Sequence, residues 1–291
     1  MHTHKIFLLA MYLLSNAYIY TAPTPYKPRV SIITSVYKGD AFIKGFLEDI
    51  VQQTIFPECE LIIINANSPH NEEPIILKYC EQYPNIIYIR LEKDPGLYGV
   101  WNMGIRMAHA DLVTNANIDD RRNPKIIEIH AQALEDNPSI DLVYSDFYIG
   151  EIPDQRYTKN PNCGLIVKSQ FSLAAMPECL PGPFPMWRKS LHDRFGYFDE
   201  TYISGGDFDL WCRSVSKGAK FKKVSDASGI YYSNPSSLGN SKRGVKEFFH
   251  VCEQYEYLWK IWPKLKTKRT ELIKKIGQTD NSNEIALQGI S

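Results

Sequence analysis

The chain alternates short β-branched runs with amphipathic segments from Arg29 onward, and this alternation limits the possible folds more than any other feature. Apolar runs of this length predict buried strands, and apolar residues at helical spacing predict helices between them. Strands joined by single helices imply right-handed crossovers and a mainly parallel α/β sheet that helices cover on both faces. The predicted strands are 30–34, 60–65, 86–90, 111–115 and 140–145, and the predicted helices are 42–51, 74–82, 97–109 and one that opens at Pro124.

Polar residues follow these strands where each one ends. In such a sheet ligands bind at the carboxyl ends of the strands, so these residues are the candidates for a functional site. They are Thr34, Ser35 and Tyr37 for the first strand, Asn65 and Asn67 for the second, Asp94 for the third, and Asn117, Asp119 and Asp120 for the fourth.

The segment from Asn117 to Asp120 contains two adjacent acids after a buried strand. Such a cluster of hard oxygen atoms is typical of a Mg²⁺ or Mn²⁺ site in which water and substrate phosphates complete the coordination. The alternative is a polar turn, because Asp120 and Asn123 are also good caps for the next helix. The local sequence leaves both interpretations open.

A second candidate is the pair Gly205-Gly206 before Asp207, which begins a predicted helix over 207–217. Two glycines let the backbone turn sharply or approach a ligand closely. Asp207 could act only as a helix cap, but a cap alone does not call for this combination of glycines and acids. A third candidate is the turn from Asp94 through Gly96 into the next helix, whose first N–H groups favour phosphate.

Several absences narrow the class of protein. The sequence has no Gly-x-Gly-x-x-Gly after the first strand, no Walker A motif and no Gly-x-Ser-x-Gly elbow, which argues against a dinucleotide oxidoreductase, a P-loop kinase and an α/β-hydrolase. The 33 basic residues balance the 33 acidic ones, so no general nucleic-acid binder is expected. The six cysteines form no Cys-x-x-Cys pair, and we expect Cys80, Cys212 and Cys252 to be buried thiols.

The two ends of the chain differ from its middle. Residues 6–22 are uncharged and contain a compact apolar run, which predicts a signal peptide or a membrane anchor, followed by a Pro-rich linker. Residues before about Lys27 are therefore expected to lie outside the fold. Residues 150–185 are Pro-rich with weak periodicity, and 245–275 reads as a helix that Pro263 kinks or divides. The tail from Gly277 is polar and is expected to be disordered.

Together these blocks resemble the family 2 glycosyltransferases of the GT-A fold, over residues 29–240. The block 94–105 closely matches the family's Asp-x-Gly-(Ile/Leu)-Tyr block, and 206–211 is similar to its Glu-Asp-x-Asp-Leu-Trp block. Residues 117–120 stand where the family carries its Asp-x-Asp metal motif. The chain departs from the family where Asn65 and Asn67 replace acids, where Asn117 replaces the first acid of the metal motif and where Gly206 replaces Glu.

The resemblance implies a role for each candidate residue. Asp207 falls on the catalytic-base position, and Asp119 with Asn117 would hold a divalent cation, Mg²⁺ or Mn²⁺. The implied substrate-binding residues are Thr34, Ser35, Tyr37, Asn65, Asn67, Asp94, Gly96, Tyr98, Asn102, Asn117, Trp187 and Gly206.

The resemblance also implies an activity. It predicts an inverting transferase that moves a sugar from a UDP-, GDP- or dTDP-linked donor to a hydroxyl of a glycan, lipid or protein. The expected division is an N-terminal signal or anchor over 1–26, a catalytic domain over 27–240 and a helical extension over 241–291, with membrane association through 6–22 favoured over a secreted or cytoplasmic location. The alternatives are a nucleotidyltransferase and a sugar-nucleotide-binding protein whose active site has decayed.

Overall fold

The computed structural model describes residues 17–20, 27–158 and 161–259, of which 17–20 are described by their backbone alone. The strands are β1 Ala17–Tyr20, β2 Val30–Val36, β3 Cys59–Asn65, β4 Ile86–Leu91, β5 Leu112–Asn115, β6 Arg121–Arg122, β7 Leu142–Tyr144, β8 Phe147–Gly150, β9 Gly164–Ile166, β10 Met186–Arg188, β11 Phe221–Lys223 and β12 Gly229–Tyr232. The helices are α1 Ile43–Ile50, α2 Glu73–Gln82, α3 Leu97–Met107, α4 Ile126–Glu135, α5 Leu191–Phe195, α6 Gly206–Ser216 and α7 Lys242–Gln254.

The main sheet has eight strands in the order β1-β4-β3-β2-β5-β10-β7-β11. Strands β4, β3, β2 and β5 run parallel, with Val36 opposite Asn65 and Ile33 opposite Asn115. Their carboxyl ends therefore meet at one edge, as the α/β prediction requires. Strand β10 enters antiparallel between β5 and β7, so its first residue, Met186, lies at that same edge.

Alternate residues of the central strands point to opposite faces of the sheet and build two separate cores. Ile32 faces a core that includes residues of α1, α2 and α4, while Ile33 faces a core with residues of α3 and α6. Because both faces are covered, β2 and β3 are buried along nearly their whole length. This double burial explains why their sequences are apolar runs rather than alternating patterns.

A second sheet of four strands, in the order β6-β12-β8-β9, was not expected from the sequence. Two of its strands, β8 and β9, come from or border the Pro-rich stretch whose periodicity is weak. The pairing of β8 with β12 is parallel and joins residues about 80 positions apart, such as Tyr148 and Ile230. Local patterning carries little information about contacts at that separation.

The N-terminal prediction falls mostly on residues outside those described. The exception is β1, which pairs antiparallel with β4 and so extends the sheet with residues that the sequence analysis left outside the fold. Among residues 17–20, 27–158 and 161–259, no helix has the length and apolar character needed to cross a bilayer. At the other end, α7 stops at Gln254 and is followed by a 3₁₀ turn over Glu256–Leu258, whereas Pro263 and the polar tail lie outside the described residues.

The cysteines are all free, and Cys80, Cys212 and Cys252 are buried, which confirms the predicted buried thiols. Burial raises the pKa of the Cys80 and Cys252 thiols to about 12. Thiols of this kind are neutral and unreactive near neutral pH. We assign them to the packing of the fold.

Candidate active site

The end of β2 presents its polar residues unequally. Thr34 is completely buried, and its hydroxyl has no hydrogen-bond partner among the described residues. Ser35 is half-buried, whereas the Tyr37 ring is 45% exposed beyond the end of the strand. Of these three predicted substrate-binding residues, Tyr37 is therefore the most accessible and Thr34 faces the interior.

The end of β3 is a tight turn that the Asn65 side chain holds. Asn65 is completely buried, and its Oδ1 accepts a hydrogen bond of 2.8 Å from the Ser68 amide. Asn67 lies at the exposed tip of this turn with φ of +55°, a left-handed conformation that asparagine tolerates better than most residues. Asn67 can thus reach a ligand, while Asn65 supports the loop from below.

The turn after β4 has the form that its sequence predicts. Asp94 is exposed, and its Oδ1 accepts a hydrogen bond of 2.8 Å from the Gly96 amide. Gly96 has φ of +80°, which a residue with a side chain would adopt only with strain. The turn delivers the chain into α3, whose second residue, Tyr98, is buried beneath the site.

The loop after β5 separates its two acids. Asp120 is 3% exposed, and its carboxylate accepts hydrogen bonds of 3.0 Å from the Tyr232 amide and from Asn117 Nδ2. Burial, followed by the adjacent Asp119 charge, holds the pKa of Asp120 well above its usual value. Asp120 therefore ties the loop to β12 and does not cap α4, whose N-terminus has no side-chain cap.

Asp119 is the acid that faces outward. Its side chain is half-buried, and burial raises the pKa of its carboxyl, while a hydrogen bond with Asn234 acts in the opposite direction. Because the Asn117 amide nitrogen donates to Asp120, the carbonyl oxygen of Asn117 is directed elsewhere. One carboxylate and one amide oxygen are compatible with Mg²⁺ or Mn²⁺, which commonly takes its other ligands from water and phosphate. No three His, Cys, Asp or Glu side chains in the described part of the chain form a complete cage.

Asp207 occupies the first turn of α6, where its carboxylate is held by two donors. Its Oδ1 accepts hydrogen bonds from the Phe208 amide at 2.8 Å and from the Tyr98 hydroxyl at 3.2 Å. Burial raises the pKa of Asp207, and the two hydrogen bonds partly offset that rise. A carboxylate with a raised pKa is a better proton acceptor than an exposed one.

Gly206, which precedes Asp207, packs closely against the Tyr98 ring. A Cβ atom added to Gly206 would lie 2.8 to 3.0 Å from atoms of the Tyr98 ring. The ring can approach the start of α6 this closely only because position 206 has no side chain. Gly206 therefore lets Tyr98 reach Asp207, which gives a structural account of the departure from the family's Glu.

Tyr231, which no sequence motif identified, lies within electrostatic range of Asp119, Asp120 and Asp207. After burial, the charges of Asp120, Asp119 and Asp207 are the largest contributions that raise the pKa of its hydroxyl. Tyr231 belongs to β12 of the second sheet, more than 100 residues beyond the acidic loop. No local motif marks it, since its place at the site depends on the pairing of β12 with β6 and β8.

Trp187 and Asn102, which the resemblance also implied as substrate-binding residues, are buried in the core. Trp187 is 1% exposed, and its indole nitrogen donates a hydrogen bond of 2.9 Å to His192. Asn102 is 1% exposed and bonds both the amide and the carbonyl of Phe198 as well as Glu200. The hydrogen-bonding groups of both side chains are thus used inside the protein, so we correct the prediction that they contact substrate.

The comparison with protein families agrees with this geometry. The model of Glycosyl transferase family 2 matches residues 31–195, more than half of the chain, and the chain belongs to that family. Membership of this family supports a glycosyltransferase and does not support the nucleotidyltransferase alternative. The match ends before Asp207, so the assignment of that residue depends on the sequence block and on the geometry above.

A curated relative and two solved structures illustrate the similarity. The uncharacterized glycosyltransferase YwdF of Bacillus subtilis is 30% identical over 226 residues, which cover 75% of this chain and 80% of YwdF. S. aureus TarS 1–349 in complex with UDP-GlcNAc superimposes with a TM-score of 0.63 at 16% identity, covering 79% of this chain and 66% of that one. The mannosyltransferase PcManGT from Pyrobaculum calidifontis, in complex with GDP-Man and Mn²⁺, has a TM-score of 0.61 at 14% identity and covers 90% of this chain and 79% of that one.

The two solved structures establish the fold, which is the GT-A arrangement predicted from the sequence. In a further TarS crystal structure the chain spans only 38% of the protein, so TarS contains much that this chain does not match.

Proposed function

We propose that this protein transfers a sugar from a nucleotide-diphosphate-sugar to an acceptor hydroxyl, with inversion at the anomeric carbon and with a divalent cation on the diphosphate. The observation that carries the proposal is that Asp207 and Asp119 both lie at the carboxyl edge of the parallel strands. Asp207 is held there by the Tyr98 hydroxyl at the start of α3, and Asp119 lies in the loop after β5. A diphosphate-binding acid and a proton-accepting acid at one edge of the sheet match what a single displacement requires.

The donor would lie across the carboxyl ends of β2 to β5. Tyr37, Asn67 and the Asp94 turn are the accessible groups there. The Asp119 carboxylate and the carbonyl oxygen of Asn117 would hold Mg²⁺ or Mn²⁺. Such an ion supplies positive charge that stabilises the diphosphate as it leaves, which a carboxylate cannot do.

Asp207 would act as the general base. The acceptor oxygen forms a bond to the anomeric carbon as the bond to the diphosphate breaks, and the hydroxyl proton passes to the Asp207 carboxylate. The Phe208 amide and the Tyr98 hydroxyl both engage Oδ1, which leaves Oδ2 for the proton. A single displacement of this kind inverts the anomeric centre and needs no covalent enzyme intermediate.

The ligands bound in the structural neighbours support a nucleotide-sugar donor, since TarS was crystallised with UDP and with UDP-GlcNAc and PcManGT is in complex with GDP-Man and Mn²⁺. The donor here is proposed to be UDP-, GDP- or dTDP-linked, and the acceptor to be a hydroxyl of a glycan, a lipid or a protein. Membrane association through residues 6–22 remains a prediction from the sequence only for the residues before β1, since Ala17–Tyr20 pair with β4 in the main sheet.

The first experiment measures nucleotide release from UDP-GlcNAc, UDP-galactose and GDP-mannose, and the calorimetric affinity for UDP and GDP with and without Mn²⁺. Wild-type protein is expected to release nucleotide from at least one donor. Asp119→Ala should lose the Mn²⁺-dependent part of nucleotide affinity, whereas Asp207→Asn should lose about 10²-fold or more in turnover and keep that affinity.

Two results would overturn parts of this proposal. Nucleotide affinity that is independent of metal and unchanged by Asp119→Ala contradicts the cation site. A protein that binds nucleotide sugars but releases no nucleotide from any of them, with or without added sugar acceptors, is the decayed binding protein that the Asn117 and Gly206 replacements also allow.

A further inference from the structure

The loop that leads to Asp207 is held by a carboxylate from another part of the chain. Glu247, on α7, accepts hydrogen bonds through Oε2 from the amides of Ile203 at 2.9 Å, Ser204 at 2.9 Å and Gly205 at 3.1 Å. Three successive backbone N–H groups thus converge on one oxygen. The side chain of Glu247 is only 11% exposed, so the interaction is largely shielded from water.

A second residue of α7 completes this contact. Arg243, one turn before Glu247, donates to Glu247 Oε1 at 2.9 Å and to the Thr201 carbonyl at 2.6 Å. The helix also lies directly against the loop, because a Cβ atom added to Gly244 would be 2.7 Å from the Ser204 hydroxyl. Hydrogen bonds and close packing therefore both hold α7 against this loop.

The contact continues on the other side of Asp207. Phe248 stacks on Phe208 with ring centroids 5.2 Å apart, and the Tyr255 hydroxyl donates to Asp209 at 3.0 Å. The residues that precede Asp207 and the two that follow it are thus fixed by α7 and the turn after it. Asp207 itself contacts neither Glu247 nor Arg243 through a hydrogen bond within the described structure.

The chemistry of helix ends explains why an acid is needed here. The first amides of a helix and of the turn before it have no partners within the helix and attract negative charge. Glu247 provides that charge from within the chain and fixes the φ and ψ angles of the residues just before Asp207. A general base must be placed within a fraction of an ångström of its proton, since misplacement by about 1 Å can cost 10²-fold in rate.

We propose that Glu247 is a positioning residue for the catalytic base, which it orients by anchoring the backbone of residues 203–205. This inference rests on the proposed role of Asp207. It extends the functional unit to α7, which lies beyond both the family match and the region that the sequence analysis assigned to the catalytic domain.

The test compares Glu247→Ala, Glu247→Gln and the control Lys246→Ala, an exposed residue of the same helix. The assay is nucleotide release from whichever nucleotide sugar wild-type protein turns over fastest, with melting temperatures recorded to establish folding. We expect Glu247→Ala to lower kcat about 10- to 100-fold while the donor KM changes less than about twofold. Glu247→Gln, which keeps an acceptor oxygen of similar reach, should recover part of that loss, and Lys246→Ala should behave as wild type.

A double variant separates positioning from general damage. If Glu247 acts only through the base, Glu247→Ala added to Asp207→Asn should cause little further loss of kcat, because the two effects are not additive. An equal loss in kcat and donor affinity, or full additivity with Asp207→Asn, overturns the positioning role. A wild-type protein without activity, or a fully active Asp207→Asn, refutes the proposed function itself, which is a different outcome.

Discussion

At the scale of single residues, the two neighbouring acids of the site, Asp119 and Asp120, have different environments. Asp120 is buried and bonded to the Tyr232 amide, while Asp119 beside it remains half-exposed. The sequence analysis assigned Asp119 to the cation and named Asp120 as a good helix cap. The structure separates the two acids because the Asp120 carboxylate accepts hydrogen bonds from the Tyr232 amide and from Asn117 Nδ2.

Tyr98 is the residue whose role the sequence described least well. The resemblance implied that it would bind substrate, and the structure places its ring in the core with its hydroxyl on Asp207. Its hydrogen bond lowers the pKa of Asp207, against the larger effect of burial.

Tyr98→Phe should therefore move the pH dependence of turnover to higher pH. As the proposed general base, Asp207 must be deprotonated, so kcat should rise with pH through its pKa. The loss of a donor to the carboxylate raises that pKa further. A hydrogen bond worth about 1 kcal/mol predicts a loss of about fivefold in kcat on the acidic limb. The measurement is kcat from acidic to neutral pH, and an unshifted limb would contradict the assignment.

At the scale of elements, the parallel strands were predicted well and the second sheet was not. Strands β2 to β5 have apolar runs that a buried parallel strand requires, so a local pattern identifies them. Strands β8, β9 and β12 are short, and their pairing depends on contacts between distant parts of the chain. The same limit explains why no local sequence pattern identified Tyr231 or Glu247. Trp187 was assigned to substrate wrongly, because an aromatic ring that packs in a core cannot be told in sequence from one that stacks on a sugar.

The amino edge of the sheet is organised by Glu60, far from the candidate site. This buried carboxylate on β3 accepts hydrogen bonds from the Ser31 hydroxyl on β2 and from the amide and ring of His109, after α3. It thus joins two strands and the following turn. Its contribution should concern stability and not catalysis.

Glu60→Gln is expected to lower the free energy of unfolding by about 1–3 kcal/mol, because glutamine offers one acceptor oxygen where the buried Glu60 carboxylate uses two. The kcat should be unchanged. Glu58→Gln is a suitable comparison, since Glu58 forms only a partly exposed ion pair with Arg29, worth about 1 kcal/mol or less. Urea unfolding of the three proteins measures the difference, and equal midpoints would argue against this role.

At the scale of the whole molecule, the buried carboxyls of the site should make the stability of the fold depend on pH. The carboxyls of Asp119, Asp120 and Asp207 all have raised pKa values, and burial is the largest cause in each case. When the pKa of an acid is higher in the folded state, folding is most favourable at a pH below the pKa of the unfolded state. That stability is lost as the pH rises through the pKa of the folded state, because a charge must then be buried. Active sites commonly carry such a cost.

Asp207→Asn should consequently melt at a higher temperature than wild type at neutral pH. The neutral amide can still accept from the Phe208 amide and the Tyr98 hydroxyl but has no charge to bury. The difference in melting temperature should shrink as the pH falls below the ordinary pKa of an Asp. Scanning both proteins at acidic and neutral pH measures this, and a difference that grows on acidification would contradict the raised pKa of Asp207.

The hydrogen bond between the Tyr232 amide and Asp120 joins the position of the acidic loop to that of the four-stranded sheet, which the Arg121–Arg122 strand also anchors. A ligand that shifts β12 should therefore change the affinity for a second ligand at Asp119. By thermodynamic reciprocity, the ligand at Asp119 would then change the affinity for the first ligand by the same factor.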